Sequence, residues 1–463
     1  MSKTFQKRFV IVISTLITLS LASCLKDLDT KVSSTDPAKT MHLLKTAPSE
    51  SQEYEQNELL VKFKPGLTER EKENIIARVN GKISERVDTK SMEREGDYEG
   101  LLLIHTPLTV AKAIAIIKGP EIEYAEPNYI YTHDATAQDL YFINHFLWGM
   151  DATNLYGTRA STAWANGHTG SATVYVGVID EGIQFDHPDL AGQIWTNPYD
   201  PIDGADNDGN GYVDDMHGWD FIGNDNIIYN GGKTGTEDSH GTHVAGTIGA
   251  LSNNIGIVGM DWNISIISAK FIGTKGGNTV DAVKAIDYIT DLKVRHSMNI
   301  VATNNSWNSS GFSQALYNAI SRANDQGILF IAAAGNGNAN GQGLNNDSIP
   351  TYPANFNLPN VISVAAIADN GSLAPFSNWG TTTVHLGAPG VNILSTIGNN
   401  LYAFYSGTSM AAPFVTGAAA LYKSTHPAAT AAEIKAAILN STSPTPSLTG
   451  KTISGGRLNV SGF

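Results

Sequence analysis

The 463 residues carry 41% apolar and only 16% charged side chains, and the formal net charge of −14 is spread along the chain without a basic block. That length exceeds one ordinary domain, so two or three folded units are expected, and the acidic balance argues against nucleic acid as a partner because a polyanion is repelled. One cysteine, Cys24, excludes an intrachain disulfide framework and a cysteine-based zinc cluster.

In chain order, Lys3, Lys7 and Arg8 precede an apolar run over residues 9–21, too short to span a bilayer comfortably. Its end, Leu21-Ala22-Ser23-Cys24, resembles the bacterial lipobox. Residues 1–23 are therefore expected to be an export signal, with a lipid on Cys24 holding the protein at a membrane of the cell envelope. A simple secretory signal or an uncleaved N-terminal helix is the alternative. Residues 24–57 are polar, lack periodicity and are read as a tether. Residues 58–131 show strand-like runs at 58–63, 82–87, 100–105 and 122–131, with helical patterns at 68–80 and 109–118. That βαββαβ order predicts a small α+β, ferredoxin-like unit. Residues 132–140 form a polar linker.

From 141 to 463, strand-like runs at 172–179, 264–271, 299–304, 328–333 and 361–366 alternate with helical patterns at 241–251, 279–294, 312–326 and 410–423. Such alternation predicts an α/β fold, a doubly wound and mostly parallel sheet covered on both faces, with sites beyond the carboxyl ends of its strands. No other stretch reaches the length of a membrane helix, so this body is expected to be soluble.

Four short segments carry chemistry. Asp180 ends the first of these strands in Val178-Ile179-Asp180-Glu181-Gly182, and alone reads as a turn or cap residue. His240 opens a helix in Ser239-His240-Gly241-Thr242-His243, where a carboxylate could fix its tautomer; the i, i+3 histidine pair lacks the glutamate of a zinc peptidase helix. Ser409, in Gly407-Thr408-Ser409-Met410-Ala411-Ala412-Pro413, reads either as a plain N-cap or as a nucleophile. Free N–H groups and the positive helix end would there face an oxyanion, with Pro413 expected in the first turn. Asn336, in Ala332-Ala333-Ala334-Gly335-Asn336, is a turn residue or an amide donor to that oxyanion.

Taken in order, the Asp, His, Asn and Ser segments resemble those of the subtilisin-like serine peptidases, over roughly residues 141–462. The resemblance implies a subtilisin-like sheet with Ser409 as nucleophile, His240 as base and then acid, Asp180 orienting the imidazole, and Asn336 with the Ser409 N–H stabilising the oxyanion. It implies polypeptide substrates, with Ser306, Trp307, Asn308 and Gly335 lining their groove, and a monomer without an organic cofactor. Two departures stand out. Glu181 replaces the usual Ser or Thr, and Asn308 replaces a glycine. The 58–131 unit resembles the family's propeptide, implying an inhibited precursor that cleaves itself near 131–139.

Structural calcium is expected at two places. Asp206, Asp208, Asn210, Tyr212 and Asp215 lie in a glycine-containing acidic loop that is equally readable as a solvated one. Asp189, with Leu251, Asn253, Ile255 and Ile257, resembles the family's calcium site. The rival functional reading is an inactive member of the family serving as a binding protein at the cell envelope.

Overall fold

Alternating apolar residues near the N-terminus become a four-stranded antiparallel sheet in the computed structural model, which describes residues 54–94, 96–129, 136–231 and 237–463. The expected signal, Cys24 and the tether up to residue 53 lie outside these, as does most of the segment expected to be processed. The chain divides into two units, Met1–Ile130 and Tyr131–Phe463.

In the first, β1 (Tyr54–Phe63), α1 (Glu69–Ala77), β2 (Lys82–Val87), α2 (Lys90–Arg94), β3 (Leu101–His105), α3 (Val110–Ile117) and β4 (Ile122–Tyr129) build a sheet ordered β2-β3-β1-β4. Leu59, Val61 and Phe63 share one face of β1 because side chains alternate along a strand, and they meet Ile75, Ile76, Val110, Ala113 and Ile117 from α1 and α3 in one core. A reciprocal capping box between Thr68 and Glu71 starts α1.

The second unit runs α4 (Leu140–Ile143), α5 (Ala160–Ala165), β5 (Gly170–Asp180), β6 (Gly218–Asp220), α6 (Ser239–Gly249), β7 (Asn263–Lys270) and the small hairpin β8 (Ile272–Gly273) and β9 (Gly276–Gly277). It continues through α7 (Thr279–His296), β10 (Ile300–Asn305), α8 (Gln314–Asp325), β11 (Leu329–Ala333), β12 (Val361–Ile367), β13 (Leu386–Pro389) and the hairpin β14 (Ile393–Ile397) and β15 (Leu401–Tyr405). α9 (Thr408–Thr425), α10 (Ala431–Asn440), β16 (Ser443–Pro444) and β17 (Gly456–Arg457) close it. Nine strands form one sheet ordered β16-β17-β13-β12-β11-β10-β5-β7-β6, parallel throughout except for β16 against β17.

Both faces are covered, which is why the central strands read as continuous apolar runs. Leu329, Ile331 and Ala333 of β11 join the core that includes α6 and α9, while Phe330 and Ala332 join the core that includes α7 and α8. The chain places β7 on one side of β5 and β10 on the other, so a crevice opens beyond the carboxyl ends of β5 and β10, where α/β sheets bind ligands. The three- and four-residue strands β6 and β13 and the hairpin β14–β15 were not foreseen, being too short for periodicity to register. Among the described residues no helix is long and apolar enough to cross a membrane.

Candidate active site

Asp180 ends β5 almost wholly buried, and its Oδ1 accepts hydrogen bonds from the Glu181 N–H (2.8 Å) and from His240 Nδ1 (2.8 Å). Donation from Nδ1 leaves the Nε2 lone pair of a neutral imidazole free to take a proton. The close approach depends on Gly241, because a Cβ there would lie 2.2 Å from the Gly182 carbonyl oxygen. Burial opposes charging of His240, but the adjacent Asp180 carboxylate, aided by Glu181, outweighs it and pushes the imidazole up to about 9.

The second histidine of α6 does something else. His243 donates through Nε2 to the carbonyls of Ile393 (2.9 Å) and Ala403 (3.2 Å), one on each strand of the β14–β15 hairpin, and stacks on Tyr405. Burial, with the nearby His240 charge, pushes it down to about 3. It is a neutral brace for the hairpin.

Ser409 is the second residue of α9, since the helix begins at Thr408. Its hydroxyl donates to the Ser306 carbonyl (3.2 Å), and the Ser306 hydroxyl returns a bond to the Ser409 carbonyl (2.8 Å). Pro413 accordingly falls in the second turn and not the first. Its missing N–H would have paired with the Ser409 carbonyl, and Ser306 takes that place. Asn336, just past β11, is fixed by its oxygen, which accepts from the Thr408 N–H and hydroxyl (both 2.9 Å). Its Nδ2 is left over as a donor. A Cβ placed on Gly407 would lie 3.5 Å from Asn336 Nδ2 and 3.6 Å from the Ser409 nitrogen, so both donors border the same small space.

Gly335, at φ +109°, turns the chain between β11 and Asn336, and its N–H donates to the Thr408 hydroxyl (3.1 Å). Asn308 is exposed beyond β10. The Trp307 ring is half-buried, packs on Phe271 and Phe330 and donates through Nε1 to the Ile179 carbonyl (2.9 Å).

The two expected calcium places differ. In the acidic loop, Asp206 accepts from the N–H groups of Asn210 and Gly211, Asp208 from Asn210 and His296, and Asp215 from Asn197, Asn210 and Tyr288. Asn210 Oδ1 accepts from the Tyr212 N–H, and the Tyr212 ring sits among Trp219, Phe221 and Tyr288. Protein donors thus satisfy the loop, and burial pushes Asp215 up to about 6. Asp189 is fully buried; Oδ2 accepts from Ile257 N–H (2.9 Å) but Oδ1 has no partner. Asp139, unforeseen, accepts from Ser252 and from the N–H groups of Asn253 and Asn254 in the adjoining loop, and burial raises both carboxyls. An orphaned buried carboxylate oxygen with a second raised carboxyl nearby is the chemistry a hard cation would satisfy. Among the described residues no group of three or more His, Cys, Asp or Glu is gathered as a metal cluster.

Residues 171–458 match the model of the Subtilase family, and residues 43–128 that of the Fervidolysin N-terminal prodomain. The "Thermophilic serine proteinase" of Bacillus sp. (strain AK1) is 32% identical over 380 residues, covering 80% of this chain and 79% of that protein. "Subtilisin E" of Bacillus subtilis (strain 168) is 32% identical over 318 residues, covering 69% of each. "Subtilisin-like protease 2" of Plasmodium falciparum (isolate 3D7) is 38% identical over 274 residues, but the chain spans only 18% of its length. Among solved structures, a protease of Pseudoalteromonas arctica PAMC 21717 aligns with a TM-score of 0.55 and 29% identity, covering 70% of this chain and 98% of that one. The larger unit thus has an α/β subtilisin-like fold, a prodomain-like region precedes it, and the chain belongs to the subtilase family.

Proposed function

We propose that this chain is a serine endopeptidase that cleaves polypeptides through an acyl-enzyme at Ser409. The Ser409 hydroxyl leaves the Ser306 carbonyl and attacks the scissile carbonyl carbon while its proton passes to His240 Nε2. Asp180 holds the ring by Nδ1 and stabilises the imidazolium. The oxyanion is met by Asn336 Nδ2 and the Ser409 N–H, where the electric field of the α9 N-terminus adds to theirs. The C–N bond then breaks as His240 returns the proton to the amine, and water repeats the sequence on the acyl-enzyme. The observation that carries this reading is the buried Asp180 accepting from His240 Nδ1 at 2.8 Å, which leaves Nε2 as the base. Similarity to a protein named as a serine proteinase and to one named as a protease supports it.

The four-stranded unit, with the strand order and antiparallel pairing of a ferredoxin-like sandwich, supports a propeptide that inhibits the precursor until it is cut off near residues 131–139. Cys24 is read as the lipid anchor of that precursor. A calcium ion held by Asp189, Asn253 and the carbonyls of Leu251, Ile255 and Ile257 would neutralise buried charge and brace the loop, taking no part in the chemistry.

Labelling of the full chain with a fluorophosphonate, followed by mass analysis of the modified peptide, tests the nucleophile. The expected label is on Ser409, and the Ser409→Ala variant should neither hydrolyse casein nor lose its first unit. Casein hydrolysis that survives Ser409→Ala removes the proposal.

A further inference from the structure

Helix α6 begins without a side-chain cap of its own. The residue placed to supply one, Asp238, is left-handed (φ +66°), and its carboxylate is engaged elsewhere: Oδ2 accepts from the N–H groups of Asn230 (2.6 Å) and Gly231 (3.2 Å), Oδ1 from Lys270 (2.6 Å). The first N–H groups of a helix have no intrahelical partner and need an outside acceptor. Here the acceptor comes from the end of β5, where Glu181 Oε1 takes the His240 N–H at 2.5 Å.

We propose that Glu181 is a positioning residue for the reaction: with Asp180 gripping the imidazole and Glu181 gripping the main chain of the same residue, two consecutive carboxylates, the last of β5 and the one after it, fix His240 at both ends. The inference rests on the peptidase reading and deepens it. A residue clamped at ring and backbone keeps Nε2 in a narrow range of positions, which is what proton transfer requires.

The second carboxylate also acts through charge. Burial and the Asp180 charge hold Glu181 above the usual carboxylate range, while the bond from the His240 N–H and the His240 charge pull it down. Its own charge adds to that of Asp180 in favouring imidazolium. The other groups around the pair are Asp238, matched by Lys270, which also lies 3.8 Å from Asp220; His243 on α6; and the Tyr405 hydroxyl from β15. Unlike these, Glu181 both touches the His240 main chain and adds its charge to the imidazole's surroundings.

The test separates the two roles. Glu181→Gln keeps an oxygen for the His240 N–H and removes the charge; Glu181→Ser is too short for either. The pH dependence of kcat/KM is measured on the full chain with a fluorogenic peptide. The His240 ring is titrated by nitrogen NMR in the Ser409→Ala background, which needs no turnover. Glu181→Gln is expected to keep the plateau kcat within about threefold and to move both the acid limb and the ring titration down by roughly half a pH unit, the effect of one charge several ångströms away. Glu181→Ser is expected to show the same displacement and, on the plateau, to lose about tenfold in kcat through misplacement of the base. An acid limb and ring titration that stay put in Glu181→Gln, or a plateau in Glu181→Ser equal to the wild type, overturns the proposal. A wild type that hydrolyses nothing while the ring titration still moves removes the peptidase reading and leaves the positioning role standing.

Discussion

The two histidines of α6 stand three residues apart on one helix, and their surroundings drive them in opposite directions. His240 reaches a carboxylate on the sheet edge and is pushed up to about 9, whereas His243 reaches two main-chain carbonyls of a hairpin and is pushed down to about 3. Burial disfavours the charged ring in both. The partner decides the outcome, since a carboxylate stabilises imidazolium strongly and a carbonyl dipole does so only weakly. Neighbouring positions on one helix face therefore present a base and a fixed structural donor.

The largest expected effect falls on the His240 side. Asp180→Asn should lower kcat by about 10⁴-fold, as loss of the correct tautomer does in such triads. A fall of less than tenfold would remove the carboxylate from the reaction. Next comes the His243 side. His243→Ala removes the donor to the Ile393 and Ala403 carbonyls and leaves a gap under Tyr405, for a destabilisation of about 2–4 kcal/mol in urea unfolding. Its kcat should change by less than its stability does; the reverse result would make His243 part of the catalytic machinery.

pH sharpens the contrast. Activity needs neutral His240 and should rise with pH through a limb in the alkaline range. In stability the signs differ. The raised His240 contributes fully below its unfolded value of 6.5, and that contribution is lost as pH rises through about 9. The depressed His243, joined by His385 at about 3, leaves the protein less stable as pH falls from 6.5 toward 3, because the unfolded chain takes up protons that the folded one refuses. Raised carboxyls such as Asp215 pull the other way in the same window, so the test is the variant: a melting-temperature profile between pH 4 and 6.5 that is the same in His243→Gln as in the wild type would contradict this. The smallest effect concerns Asp189: chelation should lower the melting temperature of the wild type but not of Asp189→Asn, and an equal drop in both would place the ion elsewhere.

Much of the site was legible because its residues sit in short local contexts. Asp180 closes a strand, His240 and Ser409 open helices and Asn336 follows a strand, so their placement at the sheet's carboxyl edge follows from periodicity and connection rules alone. What escaped depends on contacts between distant segments. The Glu181 bond to the His240 main chain spans 59 positions, and the Asp139 bonds to the loop at 252–254 span more than 110. The packing of the Trp307 ring on Phe271 and Phe330 likewise joins distant segments. The acidic loop shows the converse: its spacing suggests a cation, yet in three dimensions its oxygens find protein donors, while the sparser Asp189 region keeps an unmet one.

The bond from Ser306 to the Ser409 carbonyl has a mechanical consequence. A helix normally locates its second residue through its own turn, but at Pro413 that link is missing, and the sheet supplies it instead. The hydroxyl at Ser409 is thereby registered to β10 and, through Thr408, to the end of β11, so local fraying of α9 would leave its bearing on the crevice intact.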